Sequence, residues 1–246
     1  MKTNIYSFSQ WLNEKVEYHK ELCPAVWEET SMKTEIRKKL LAIAQDFWQA
    51  LALDVQLLDV QLTGSLANFN WTKASDLDVH LIIDFSQVDK NVSLVRKALD
   101  GQRFIWNQRH PVILAKHDVE CYIQHKDEQH IASGLFSLLK NQWLVTPTWT
   151  APQVDEKDVK EKLRVINSEI REVKSRVSSA RGNDAKELFA YLERIKKKIM
   201  ADRKEGLARG GEFSVENIVF KELRNTGAIE EIIEAMSKAY ANIYLD

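Results

Sequence analysis

Residues 62–84 read LTGSLANFNWTKASDLDVHLIID, and the chemistry in them lies in two acids and a small turn. Asp76 and Asp78 stand one residue apart in an alternating apolar stretch. With His80 they are expected on one face of a strand whose other face carries Leu77, Val79 and Leu81. Carboxylates about 6 to 7 Å apart along a strand repel each other, and burial penalises each charge. A divalent cation between them relieves both costs, and Mg²⁺ is commonly held by one or two carboxylates together with substrate phosphates.

Gly64 and Ser65 precede the acids, in a turn at the end of an earlier strand-like run. A glycine there lets the backbone approach a phosphate closely, and the Ser65 hydroxyl and nearby N–H groups can donate to it. A triphosphate seated in that turn would reach ions held by the aspartates. Lys73 is a candidate for neutralising its charge, although an exposed loop lysine is the plainer reading. Two-metal phosphoryl transfer usually employs one more carboxylate near the attacking oxygen. Glu120 in HDVECYIQ supplies it, on a second alternation whose opposite face carries Val119, Cys121 and Ile123. Positioning and charge neutralisation would carry such catalysis without a covalent intermediate.

The elements that must position these residues follow from hydrophobic period. Residues 6–53 are helical in pattern, with Ile36, Leu40, Ile43, Ala44, Phe47 and Leu51 on one stripe. VQLLDVQLTG and LDVHLIIDF read as strands, VSLVRKALDGQRFIWNQRH as a helix. VILAKHDVECYIQ reads as two short strands or one interrupted strand, and HIASGLFSLLKNQWLVTP as a hairpin or strand pair. Pro147 and Pro152 bracket a linker. Beyond it, charged amphipathic helices are expected over 155–180, 185–207, from Ser214, and after Gly227. The expected architecture is α+β: a mixed sheet with flanking helices over 1–150, then a helical domain over 151–246.

The balance of 35 basic and 36 acidic residues excludes a generally basic nucleic-acid binder. No apolar run is long enough for a membrane span. Two cysteines without ligand spacing suggest a reducing, cytoplasmic setting. The run Arg194–Lys198 reads as a solvated helix face interspersed with acids. Lys221 and Arg224 read equally as phosphate contacts or as a surface pair. His80 is expected to be hydrogen-bonded in or beside the cleft, and of the seven tryptophans Trp71 lies nearest the phosphate turn.

Leu62-Thr63-Gly64-Ser65, then Asp76-Leu77-Asp78-Val79, then Val119-Glu120-Cys121 resemble the signature of the DNA polymerase beta-like nucleotidyltransferase superfamily. NWTKASDLDVHLIIDF and GEFSVENIVFKELRNTG are similar to nucleotidyltransferases encoded in phage genomes. The resemblance implies transfer of a nucleoside monophosphate from an NTP to an acceptor hydroxyl, with release of pyrophosphate and participation of two Mg²⁺ (or Mn²⁺) ions. It implies that Gly64 and Ser65 meet the triphosphate, that Asp76 and Asp78 hold both metals, and that Glu120 serves the metal nearer the acceptor. RNA or tRNA ends, a protein side chain and a small molecule are all acceptors compatible with it. A catalytically silent nucleotide-binding module and a structural protein whose aspartates only bind a cation are the rivals.

Overall fold

Two stretches with a period of two, 57–63 and 77–83, place apolar side chains on a common face, and that face decides the fold of the first half of the chain. A computed structural model describes residues 19–73, 75–128, 133–150 and 155–245. The chain divides into two compact units, Met1–Thr150 and Ala151–Asp246. Of the helical pattern expected over 6–53, the part before residue 19 lies outside the described residues, residues 19–33 form turns and a short β-ribbon instead, and only Thr34–Leu51 is helical.

In the first unit a small ribbon of β1 (Trp27–Glu28) and β2 (Ser31–Met32) leads into α1 (Thr34–Leu51). Next come β3 (Leu57–Thr63), a 3₁₀ turn over Ser65–Ala67, and β4 (Leu77–Ile83). The short α2 (Phe85–Val88) and the long α3 (Val92–Arg109) follow, then β5 (Ile113–Leu114), β6 (His117–His125), β7 (Leu135–Ser137) and β8 (Gln142–Val145). The six-stranded sheet has the order β5-β6-β4-β3-β7-β8 and is mixed: β4 and β6 run parallel, and the other neighbours are antiparallel. The parallel pair requires a crossover, which α2 and α3 provide.

One face of this sheet is the core. Leu62, Leu77, Val79, Leu81, Ile83 and Cys121 are fully buried there, in one cluster with Leu40, Ala44 and Phe47 of α1 and Val95, Leu99 and Trp106 of α3. The Phe47 and Trp106 rings meet at 4.8 Å between centroids. Caps fix the helix starts: Asn91 accepts from the Leu94 N–H, and Asp84 from the Ser86 N–H. Asn107 of α3 closes part of the β6 edge. Its Nδ2 donates to the Cys121 carbonyl at 3.0 Å, and its Oδ1 accepts from the Cys121 N–H at 3.1 Å. A side-chain amide here does the work of a missing strand.

The segment 112–125 is a hairpin, with Ala115 and Lys116 both at positive φ in its two-residue turn. No glycine marks that turn, which is why the sequence alone leaves one strand or two open.

The second unit consists of α4 (Glu156–Val177), α5 (Gly182–Gly210), α6 (Val215–Asn225) and α7 (Ala228–Asn242). Buried stripes at Leu163, Ile170 and Val173, at Leu188, Leu192, Ile195 and Ile199, and at Ile232, Ala235 and Ala239 hold them together. Asp155 caps α4 and Ser214 caps α6. A Cβ at Gly206 would stand 2.8 Å from both Glu216 Cβ and Ser214 Oγ, so the glycine sets how closely α5 approaches the start of α6. The basic run lies on α5 with Ile195 and Ile199 turned inward and Lys197 paired to Glu193, a solvated face. No helix among the described residues is long and apolar enough to cross a membrane.

Candidate functional site

The second face of the sheet is polar, and strand register assembles it. Asp78 of β4 stands directly beside Glu120 of β6, and His80 beside Tyr122. On the other side of β4, Thr63 pairs with Asp78 and Gln61 with His80. Parallel neighbours in register share a face, so Asp78 and Glu120 present their half-buried carboxylates side by side. Strand β4 begins at Leu77, and Asp76 therefore sits at its entry rather than within it, also half-buried.

The Gly-Ser turn reaches the same place. Gly64 adopts φ 77°, ψ −164°, a conformation open essentially to glycine alone. The Asp78 carboxylate lies against its bare Cα. Ser65 opens the 3₁₀ turn, and its hydroxyl donates to Ser75 Oγ at 2.7 Å. Ser75 also accepts from the Thr72 N–H at 2.9 Å, and its carbonyl takes a hydrogen bond from His117 Nδ1 at 2.7 Å. Since that nitrogen faces a carbonyl it carries the proton, and His117 Nε2 is left to accept from the Cys23 thiol at 3.7 Å. The loop between turn and acids is thus fastened at Ser75, immediately before Asp76. Lys73 projects from this loop as an exposed side chain. Trp71 donates from Nε1 to the Glu21 carbonyl and stacks on His19 with centroids 3.5 Å apart, so its ring is already occupied.

The structure therefore brings Gly64, Asp78 and Glu120 together, keeps Asp76 at the margin, engages Ser65 with Ser75, and leaves Lys73 on the surface. Other residues on the polar face escaped the sequence reading. The Tyr122 hydroxyl donates to Glu120 Oε2. Burial first, then the charges of Asp78 and Glu120, push its pKa far above the ordinary phenol value. The phenol thus remains a donor at any ordinary pH. Asp59 is buried on β3, accepting from Ser137 Oγ at 2.7 Å and from Gln61 Nε2 at 3.1 Å, while Gln61 Oε1 has no hydrogen-bond partner among the described residues. Their signal was available: Asp59, Gln61 and Thr63 alternate along β3 as Glu120, Tyr122 and Gln124 do along β6.

A hard divalent cation fits part of this arrangement. Asp78 and Glu120 offer oxygen donors on one face, with the bare Cα of Gly64 packed against Asp78, and Mg²⁺ ordinarily completes its shell with water and substrate phosphates. Among the described residues no three His, Cys, Asp or Glu side chains form a ready-made cage. The protein's contribution would be the Asp78–Glu120 pair, with Asp76 flanking it.

The chain matches no protein-family model, no curated protein and no solved structure.

Proposed function

We propose that the first unit is the core of a nucleotidyltransferase of the DNA polymerase beta-like kind, moving a nucleoside monophosphate from an NTP to an acceptor hydroxyl. One observation carries this reading: the register that sets Asp78 beside Glu120, with the Gly64 turn packed against Asp78. In the reaction the acceptor oxygen bonds to the α-phosphorus and the bond from that phosphorus to the bridging oxygen breaks. Pyrophosphate leaves with the electron pair, and the hydroxyl proton passes to solvent. Bound Mg²⁺ would supply charge neutralisation on the phosphates and activation of the acceptor. The chain's own part is to fix Asp78 and Glu120 on rigid strands, with Asp76 at the strand entry, and to present backbone at Gly64 and Ser65 to the triphosphate.

The lack of a three-residue metal cage among the described residues favours a second reading, a catalytically silent nucleotide-binding module with the same fold. One experiment separates the two. The protein is incubated with each α-labelled NTP and Mg²⁺ or Mn²⁺ against total RNA, lysate protein and a small-molecule panel, and both label and pyrophosphate are followed. Label in one fraction with stoichiometric pyrophosphate supports transfer and identifies the acceptor class. NTP binding without pyrophosphate supports the silent module.

A further inference from the structure

Glu120 carries a long, flexible side chain next to a like charge, and left alone it would swing away from Asp78. It is not left alone. The Tyr122 hydroxyl donates to Glu120 Oε2. The ring bearing that hydroxyl is held by two neighbours from different elements: His80 of β4 stacks on it with centroids 4.7 Å apart and planes 19° apart, and the Arg103 guanidinium of α3 lies 4.5 Å from its centroid. Each neighbour is fixed in turn. Gln124 Nε2 donates to the Glu128 carbonyl at 3.4 Å, which turns Gln124 Oε1 toward His80 Nδ1 at 2.7 Å. The buried Arg103 Nε has no hydrogen-bond partner among the described residues, so burial and the aromatic face account for where this side chain sits.

We propose that Tyr122 is a positioning residue, its hydroxyl holding the Glu120 carboxylate beside Asp78 in the geometry that one divalent cation shared by both requires. The proposal rests on the nucleotidyltransferase reading and adds to it a residue that touches neither substrate nor metal. Partners of this outer kind orient metal-binding carboxylates, and their loss typically lowers metal affinity about 10- to 100-fold.

The test is Mn²⁺ binding to the full chain, read by electron paramagnetic resonance and water-proton relaxation, with and without a non-hydrolysable NTP analogue. Tyr122→Phe keeps the ring and its stacking while removing the hydroxyl. It is expected to weaken Mn²⁺ binding about tenfold and to change the relaxation enhancement of the bound ion, with the thermal midpoint close to that of the parent. In a Glu120→Gln background the same change is expected to add nothing, because the carboxylate it positions is gone. Arg103→Met leaves the hydroxyl in place and loosens the ring, so a smaller loss in the same direction is expected even if the Phe variant folds poorly. Parental Mn²⁺ binding by Tyr122→Phe alongside weakened binding by Glu120→Gln overturns this proposal alone. Absence of Mn²⁺ binding in the parent, or indifference to Glu120→Gln, overturns the underlying reading and this proposal with it.

Discussion

Asp78 Oδ2 occupies the space that a side chain on Gly64 would need: a Cβ built on Gly64 stands 2.1 Å from that oxygen. Each residue therefore restricts what the other position can hold. Gly64→Ala would displace the carboxylate and also force an alanine into a glycine-only backbone conformation, costing about 1 to 3 kcal/mol. Urea denaturation is the check. In an Asp78→Ala background the same substitution should cost less, because only the backbone strain remains. Equal costs in the two backgrounds would show that the contact does not constrain the turn.

Asp78 and Glu120 are like charges in register, so neutralising one should not harm the fold. Asp78→Asn is expected to leave stability without ligand within about 0.5 kcal/mol. The same variant should lose the Mg²⁺–NTP-dependent rise in melting temperature and the transfer of label. Asp76→Asn is expected to behave alike in transfer. A ligand-dependent thermal shift identical to the parent's would remove Asp78 from the site.

Asp84, at the end of β4, supplies a pH-dependent contribution. Hydrogen bonding to Lys126, whose Nζ lies 2.7 Å away, and then to Ser86 lowers its pKa from 3.8 to about 2. The folded value lies below the unfolded one. The stabilisation is thus fully present above about pH 4 and is lost as pH falls toward 2. Urea midpoints measured from pH 5 to 2 should show the parent's advantage over Asp84→Asn shrinking across that window. A constant difference across it would count against the ion pair.

Asn107 holds both backbone groups of Cys121 at the sheet edge. Asn107→Ala leaves an N–H and a C=O without these partners next to Glu120 and Tyr122, and a loss of about 2 kcal/mol is expected by denaturant titration. Amide exchange at Cys121 should accelerate in the variant. Unchanged exchange would mean that another donor and acceptor replace the side chain.

Burial keeps both thiols out of chemistry. Cys121 is pushed up to about 12 by burial first and by the Glu120 charge second, and burial also raises Cys23. Neither should react with a thiol reagent in the folded protein, and both should titrate in denaturant. Fast labelling of one thiol under native conditions would point to local opening around it.

How far this was legible in the sequence varies with the range of the interaction. Alternation around Asp78 and around Glu120 is local, so which residues share a face could be read directly, and so could the helix starts at Ser214 and Asp155. The pairing of β4 with β6 is a tertiary fact. Nothing in either stretch states that Asp78 rather than Leu77 stands level with Glu120, since sliding one strand by a residue keeps both local patterns intact. Arg103 lay beyond inference because a helical residue reaches Tyr122 only through the packing of α3 along β6. The β1–β2 ribbon is too short to show a period. Tyr122 and Asp59 are different cases: alternation assigns each to the polar face, but it does not state that the Tyr122 hydroxyl meets Glu120 or that Asp59 is buried against Ser137.

The crossover between β4 and β6 also has a kinetic side. Asp78 and Glu120 are distant along the chain and become neighbours only when β6 docks on β4, which closes a large loop over the intervening helices. Closing such a loop is among the slow events of folding. An ion bridging the pair would therefore report the moment of docking, and its appearance in a refolding trace would time the birth of the parallel pair.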